Sequence, residues 1–169
     1  FMSRFVLAAT LGASYGIYGP AFELGEHVPR EPGSEEYLHS EKYEIKHWDL
    51  DREDSLSEFI GHMNRIRREN PALQSDWSLH FHDVANDQLL CYSKRTSDGS
   101  NIVLVVVNLS PHHVHSGWLE LDLESLGVEE KRPFQVQDLL TNAHYLWHGK
   151  RNYIEINPHS APAQIFRIH

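Results

Sequence analysis

The sequence predicts a mixed fold in two parts: helices joined by a long loop over residues 1–72, then an all-β antiparallel sandwich over residues 73–169. Three observations predict it. Leu56, Phe59, Ile60, Met63 and Ile66 recur at helical intervals. After about Leu73 the pattern changes to short alternating or apolar runs cut by turn residues, which is how a sandwich reads. Between these regimes, Pro29 to Asp51 is polar and crowded with carboxylates, yet carries Tyr37, Tyr43 and Trp48. A connection this long is usually functional or disordered, and disordered segments are poor in aromatics.

The elements follow in order. Met2 to Leu11 reads as a helix ending near Gly12. Phe1, Phe5, Val6, Leu7, Ala8, Ala9 and Leu11 make it apolar nearly all round, so it needs burial among neighbours. The first unit cannot supply that burial, which points to a C-terminal piece of something larger. An apolar patch left exposed on this helix, hidden by self-association, is the expectation. Tyr15 to Tyr18 reads as a short strand, broken by Gly19-Pro20, and Ala21 to Leu24 as a turn or short helix. Ser55-Leu56-Ser57-Glu58 has the spacing of a capping box. The helix behind it carries Arg67 and Arg68 at its negative end and stops at Asn70-Pro71.

Eight strands are expected in the second unit: Leu79 to Val84, Leu89 to Arg95, Ile102 to Leu109, His115 to Leu123, Phe134 to Leu139, Tyr145 to Trp147, Tyr153 to Ile156 and Gln164 to Ile168. Val103 to Val107 is continuously apolar and should be buried on both faces. Trp118 to Leu123 alternates and should bury one.

Composition narrows the function. A net charge of −9 argues against a nucleic-acid surface. The longest apolar run, Ile102 to Val107, is too short to span a bilayer. No basic segment followed by an apolar stretch and a cleavage site is visible. Cys91 is the only cysteine and reads as a small buried hydrophobe. A cytoplasmic location is the expectation. In the long loop, aromatic faces beside carboxylates and a lysine are what a sugar site needs: the rings stack on C–H faces while charged groups bond the hydroxyls.

Specific segments carry a resemblance. Phe5-Val6-Leu7-Ala8-Ala9-Thr10-Leu11, Tyr15-Gly16-Ile17-Tyr18-Gly19-Pro20-Ala21-Phe22-Glu23-Leu24, Gly33-Ser34-Glu35-Glu36-Tyr37-Leu38 and Ser40-Glu41-Lys42-Tyr43-Glu44-Ile45 resemble the α-amylase superfamily. Within it they are most similar to the bacterial α-1,4-glucan:maltose-1-phosphate maltosyltransferases. Asp138-Leu139-Leu140-Thr141, Tyr145, Trp147, Gly149, Asn152-Tyr153-Ile154 and Ala163, Ile165-Phe166 are similar to the sandwich that follows the barrel in that family.

The resemblance implies that residues 1–72 are the C-terminal end of a (β/α)8 barrel: its last strand, a long loop and its last helix. The loop would then face the sugar, because barrel active sites lie at the C-terminal ends of the strands. Retaining glycosyl transfer needs two carboxyl groups about 5 Å apart. The family draws these from earlier strands, so this chain is expected to hold no catalytic residue. Lys42 and Tyr43 match the family's donor-binding Lys-Tyr. The implied partners of the whole enzyme are an α-1,4-glucan and maltose 1-phosphate, with no metal or organic cofactor, and the family allows a homodimer. A glucan hydrolase of the same superfamily, a scaffolding sandwich and a glucan-binding module are the alternatives.

Other candidates are weaker. Glu35, Glu36 and Glu41 are poor catalytic partners, because adjacent loop residues point apart. Glu23 is better placed, yet the family gives it no catalytic role. The thirteen histidines, with His80 and His82 on one strand face and His112, His113 and His115 clustered, do not specify a zinc site. Trp77, Trp118 and Trp147 are read as packing residues before a sugar platform, with Trp147 alternating with Tyr145 on a face that could be open.

Overall fold

The computed structural model describes residues 1–169. Its architecture is decided by strand β3, Ile102–Asn108. Leu104 and Val106 project into a core inside the sandwich, with Cys91, Leu119, Phe134, Trp147, Ile154 and Phe166. Val103, Val105 and Val107 project into a second core, with Phe5, Val6, Met63, Leu73, Tyr92 and Ile165. One strand thus carries apolar layers on both faces, as its continuous apolar run requires.

The other strands are β1 His80–Val84, β2 Leu89–Arg95, β4 His115–Glu120, β5 Pro133–Asp138, β6 His144–His148, β7 Arg151–Ile156 and β8 Ala163–Ile168. All pair antiparallel, in the order β6-β5-β8-β3-β2-β1-β4-β7. The sheet folds over at β1. His80 to His82 pair with β2, whereas Asp83 and Val84 pair with β4. Strands β6 and β7 consequently approach across a seam, and the sandwich is a nearly closed barrel.

The helices are α1 Met2–Leu11, α2 Gly19–Glu23, α3 Ser57–Glu69 and α4 Leu123–Leu126, with a 3-10 turn at Pro71–Gln74. Helix α1 buries Phe5, Val6, Ala9 and Thr10. Its cover comes from α3 and the outer face of β3 within this same chain. The expectation of an exposed patch is therefore corrected: the outer faces of β3 and β8 are themselves apolar, and helix and sheet solve each other's burial. Thr10 Oγ1 donates to Val6 O at 2.7 Å and shares a 2.5 Å hydrogen bond with the Tyr92 hydroxyl, tying α1 to β2.

Four local expectations fail. Gly12, read as a left-handed stop, ends α1 in extended backbone at φ −90° and ψ 148°. Tyr15 to Tyr18 forms no strand, and no strand of the sheet pairs with it. The capping box does not form. Ser55 Oγ accepts from the Ser57 N–H at 3.2 Å, two residues on, and donates to Glu23 at 3.1 Å. Strand β4 ends at Glu120 rather than Leu123, because the Asp122 side chain accepts from the Ser125 N–H at 3.0 Å and starts α4. Gly127, at φ 76°, closes that turn.

Arg67 fastens the helical layer. Its guanidinium donates to Ala9 O, to Gly12 O at 3.3 Å and Ala13 O at 2.8 Å beyond the end of α1, and to Leu73 O at 3.2 Å. It also lies 5.0 Å from the Tyr15 ring centre. Burial lowers its pKa from the usual value, yet a guanidinium stays charged. The sequence reading assigned Arg67 to its own helix end; it caps α1 instead. Asn101 adds a second tie, donating to Asn70 Oδ1 at 2.9 Å and accepting from the Ala72 N–H at 3.0 Å. Arg67→Met leaves several carbonyls without a donor, so equilibrium unfolding in urea should show a loss of about 2 to 4 kcal/mol. Arg67→Lys should recover less than half, because one ammonium cannot span that fan of acceptors.

His82 is a buried histidine of the sandwich. Its Nδ1 accepts from the Asp122 N–H at 3.1 Å, so Nε2 carries the proton and donates to Ser93 Oγ at 2.8 Å. Burial, reinforced by the His80 charge and opposed by Asp122 and Asp83, lowers its pKa from 6.5 to about 4. Protonating Nδ1 would set two donors against each other. A depressed base stabilises the fold fully above pH 6.5, and that contribution is lost as pH falls toward 4. Stability should drop by up to about 3 kcal/mol across this window. His82→Gln keeps both hydrogen-bond roles and should flatten the profile. Equal slopes in the two proteins would exclude His82 as the source.

Candidate functional site

The long loop is built on a hairpin that the sequence reading missed. Leu38 N–H donates to Val28 O at 2.7 Å, and Arg30 N–H to Glu36 O at 2.8 Å. Pro29 pairs with Tyr37 across it. The turn is Glu31 to Ser34, with Gly33 at φ 82°, where a side chain would be strained. Pro32-Gly33 was the available signal.

This hairpin sets Arg30 opposite Glu36, and the next turn folds Lys42 and Tyr43 back onto the pair. Arg30 Nη1 donates to the Tyr43 hydroxyl at 2.6 Å and to Glu36 Oε2 at 3.2 Å. The Tyr43 hydroxyl lies 3.3 Å from Glu36 Oε2, and Lys42 Nζ 3.6 Å from Glu36 Oε1. Both cations also lie against the Tyr43 ring, Arg30 at 4.4 Å and Lys42 at 5.0 Å from its centre. Ser40 is buried beneath and donates to Glu36 Oε1 at 3.3 Å. His39, at φ 57°, makes the bend that turns Ser40 inward.

The predicted pair, Lys42 and Tyr43, is thus brought together and remains open to solvent, with the Lys42 side chain 68% and Tyr43 54% exposed. Beside it lies a cleft of about 430 Å3 walled by Tyr18, Phe22, Tyr37 and Phe1, with Lys42 and Glu36 on its rim. Tyr37 donates to Glu41, and its ring centre is 6.5 Å from that of Tyr18. Trp48 takes no part and packs against Lys46 instead.

The comparisons with known proteins agree in direction. The family described as GLGE, C-terminal, matches residues 81–168. The chain belongs to this family. Maltosyltransferases named alpha-1,4-glucan:maltose-1-phosphate maltosyltransferase are similar over nearly all of it. That of Chlorobaculum tepidum is 50% identical over 99% of this chain and 26% of its own length. That of Methylacidiphilum infernorum is 44% identical over 99% and 25%, and that of Corynebacterium glutamicum 44% over 98% and 25%. The chain spans about a quarter of the length of these relatives. A solved structure of an AmyP variant in complex with maltotriose covers 99% of this chain and 35% of its own, at TM-score 0.62 and 17% identity. A noncanonic maltogenic alpha-amylase, AmyB from Thermotoga neapolitana, covers 76% and 31%, at TM-score 0.52 and 12% identity.

For this GLGE C-terminal chain, the remaining candidates resolve plainly. Glu35 is exposed and joins no ion pair, whereas Glu36 is half-buried and paired with Arg30 and Lys42; both line the cleft beside Tyr37. Glu23 holds the start of α3 through Ser55 and through the Leu56 N–H at 2.9 Å. Trp147 is buried against Phe134 and Phe166, which closes the reading of it as an open platform. His80 and His82 have ring centres 4.9 Å apart, but no three His, Cys, Asp or Glu side chains converge as metal ligands would. Arg30 is the site neighbour that sequence reasoning did not name, and the buried Ser40 was named only as part of the motif, with no role of its own.

Electrostatics holds the cluster together. Burial pushes the Glu36 carboxyl up, but the Arg30 hydrogen bond, the Lys42 charge and the Tyr43 hydroxyl outweigh it and lower its pKa. Lys42 is raised, first by its hydrogen bond to Tyr43 and then by the Glu36 charge. A depressed carboxyl stabilises the arrangement above its ordinary pKa of 4.5 and releases it as pH falls through the lower folded value. The side-chain carboxyl resonance of Glu36 should therefore stay constant from pH 7 to about 4.5 and move only below that. Glu36→Gln should abolish that transition and speed amide exchange at Arg30 and Leu38 several-fold.

Proposed function

We propose that this chain is the C-terminal part of a maltosyltransferase that extends α-1,4-glucans with maltosyl units from maltose 1-phosphate, with retention of anomeric configuration. One observation carries the reading: 50% identity over 99% of the chain to a relative of that name. In this reading residues 1–72 close a (β/α)8 barrel. Ile17, Tyr18, Val28, Leu38, Ile45 and Leu50 are exposed on that part, and such a surface is what packing against earlier barrel strands would cover. The likeness to the AmyP structure over 99% of the chain supports the same arrangement.

The carboxylates that break and form glycosidic bonds would come from those earlier strands. Lys42 and Tyr43 would hold the donor sugar, the ammonium bonding its hydroxyls and the phenol both stacking and bonding. Arg30 and Glu36 fix both side chains before the sugar arrives. Less ordering then remains for the substrate to impose, and the anomeric carbon is presented in line for attack. The single cysteine, Cys91, is buried in the sandwich core, which fits a cytoplasmic setting.

The test uses the full-length enzyme. Lys42→Ala and Tyr43→Ala should each lower kcat/KM for maltose 1-phosphate by about tenfold or more, with folding intact. Values within about twofold of wild type would remove these residues from the donor site. Orthophosphate released in step with glucan growth identifies transfer; reducing sugar released with water would instead identify a hydrolase.

A further inference from the structure

Where β6 and β7 approach across the seam, a cleft of about 210 Å3 opens into the sandwich. Trp147 and Phe166 wall it, Tyr145 and Tyr153 rim it, and Glu155 and Gln164 supply its polar groups. Gln164 Oε1 is buried and accepts no hydrogen bond from any group of the chain, and no other buried side-chain nitrogen or oxygen is in that condition. An orphaned acceptor inside a native fold calls for a partner. Tyr145 and Tyr153 are 43% and 53% exposed, so both rings are accessible at the rim. Tyr145 is braced edge-on against Phe166, with centroids 6.2 Å apart. Tyr153 is braced by Trp118, directly opposite it on β4, at 5.3 Å. Trp118 is itself held by Arg151, 4.8 Å from its ring centre.

We propose that this cleft is a carbohydrate subsite that takes one glucosyl ring of an α-glucan chain. Its chemistry selects the ligand class. An apolar ligand would leave Gln164 unpaired. An anion would meet Glu155. A sugar hydroxyl both donates and accepts, so it satisfies the Gln164 amide in either orientation and donates to the Glu155 carboxylate. Its C–H face packs on the tyrosine rings. The volume lies below the roughly 300 to 1,000 Å3 that engulfs a drug-sized ligand. It therefore suits one ring, with the rest of the chain running over the surface. Tyr145 and Tyr153 are the binding residues, and Trp118 is a positioning residue for Tyr153. The cleft shares no residue with the Lys42 loop. Only the choice of an α-glucan, rather than another polyol, rests on the maltosyltransferase reading.

The experiment titrates the isotopically labelled 169-residue chain with maltoheptaose and, separately, with cellopentaose. The four tryptophan indole N–H resonances are followed, that of Trp147 being assigned with Trp147→Phe. A saturable shift of the Trp147 indole with maltoheptaose is expected, with at least about tenfold weaker binding of cellopentaose. Tyr145→Ala and Tyr153→Ala should each weaken binding about tenfold, and so should the near-isosteric Gln164→Leu. Unchanged resonance dispersion elsewhere would show that these variants are folded. The proposal is overturned if the Trp147 indole does not move, if the variants bind as wild type does, or if cellopentaose binds equally well. Shifts confined to the Lys42 and Tyr43 amides would sink this subsite while leaving the donor-site reading intact. A responding cleft alongside unaffected kinetics of Lys42→Ala would do the reverse.

Discussion

The structure depends on the demand of β3 for apolar cover on both faces. Leu104 and Val106 are satisfied by folding the sheet over at β1 until β4 and β7 lie across from them. Val103, Val105 and Val107 cannot be reached by any strand of that closed sheet, and α1, α3 and the Pro71–Gln74 turn cover them. The sandwich and the helical segment therefore share a core. Leaving three buried-type valines in water would forgo about 1.5 to 3 kcal/mol each, comparable to the net stability of a domain. Neither part is complete without the other.

That shared core places the loop. Its upstream end is α2, whose Glu23 is fixed to Ser55 and Leu56 at the start of α3. Its downstream end is α3 itself, seated on β3 and tied through Arg67 to α1. The two ends are joined to each other, so the residues between them form a closed excursion rather than a free linker. Within it, a hairpin and an inward-turned serine are enough to give Glu36 four side-chain partners. The sandwich contributes to the site mechanically, by holding still the helix from which the loop departs.

Much of this was legible in the sequence, for identifiable reasons. The helix over Ser57–Glu69 and strands β2 and β3 are set by local apolar periodicity, and tertiary contacts agree with it. Lys42 and Tyr43 were proposed from family likeness rather than from spacing. What failed was non-local. Arg67 reads as a helix-end cation, and nothing in its neighbourhood shows that its acceptors lie more than fifty residues upstream. Arg30 could have been found by folding the chain back at Pro32-Gly33, which sets it opposite Glu36. The strand expected over Tyr15 to Tyr18 lacks a partner, and a strand is defined by its ladder rather than by its residues.

The distribution of exposed apolar groups connects these points. In the sandwich the large exposed side chains are five aromatic, Phe81, Trp77, Trp118, Tyr145 and Tyr153, and three aliphatic, Leu109, Val114 and Leu146. On the first seventy-two residues they include Ile17, Val28, Leu38, Ile45 and Leu50, aliphatic groups with nothing to offer water. Amphipathic rings at a surface are compatible with standing solvent and with transient ligands. Exposed aliphatic groups gain nothing from either and are favoured by protein cover. The two parts differ in degree: five of the eight large exposed side chains are aliphatic on the first seventy-two residues, against three of eight in the sandwich. The hairpin with Lys42 and Tyr43 lies on the more aliphatic part, and under the proposed function its cleft would be bounded on a further side by the rest of the enzyme. In that proposal a donor sugar beside Lys42 would be enclosed by two parts of the polypeptide, an arrangement that excludes water from a glycosyl transfer.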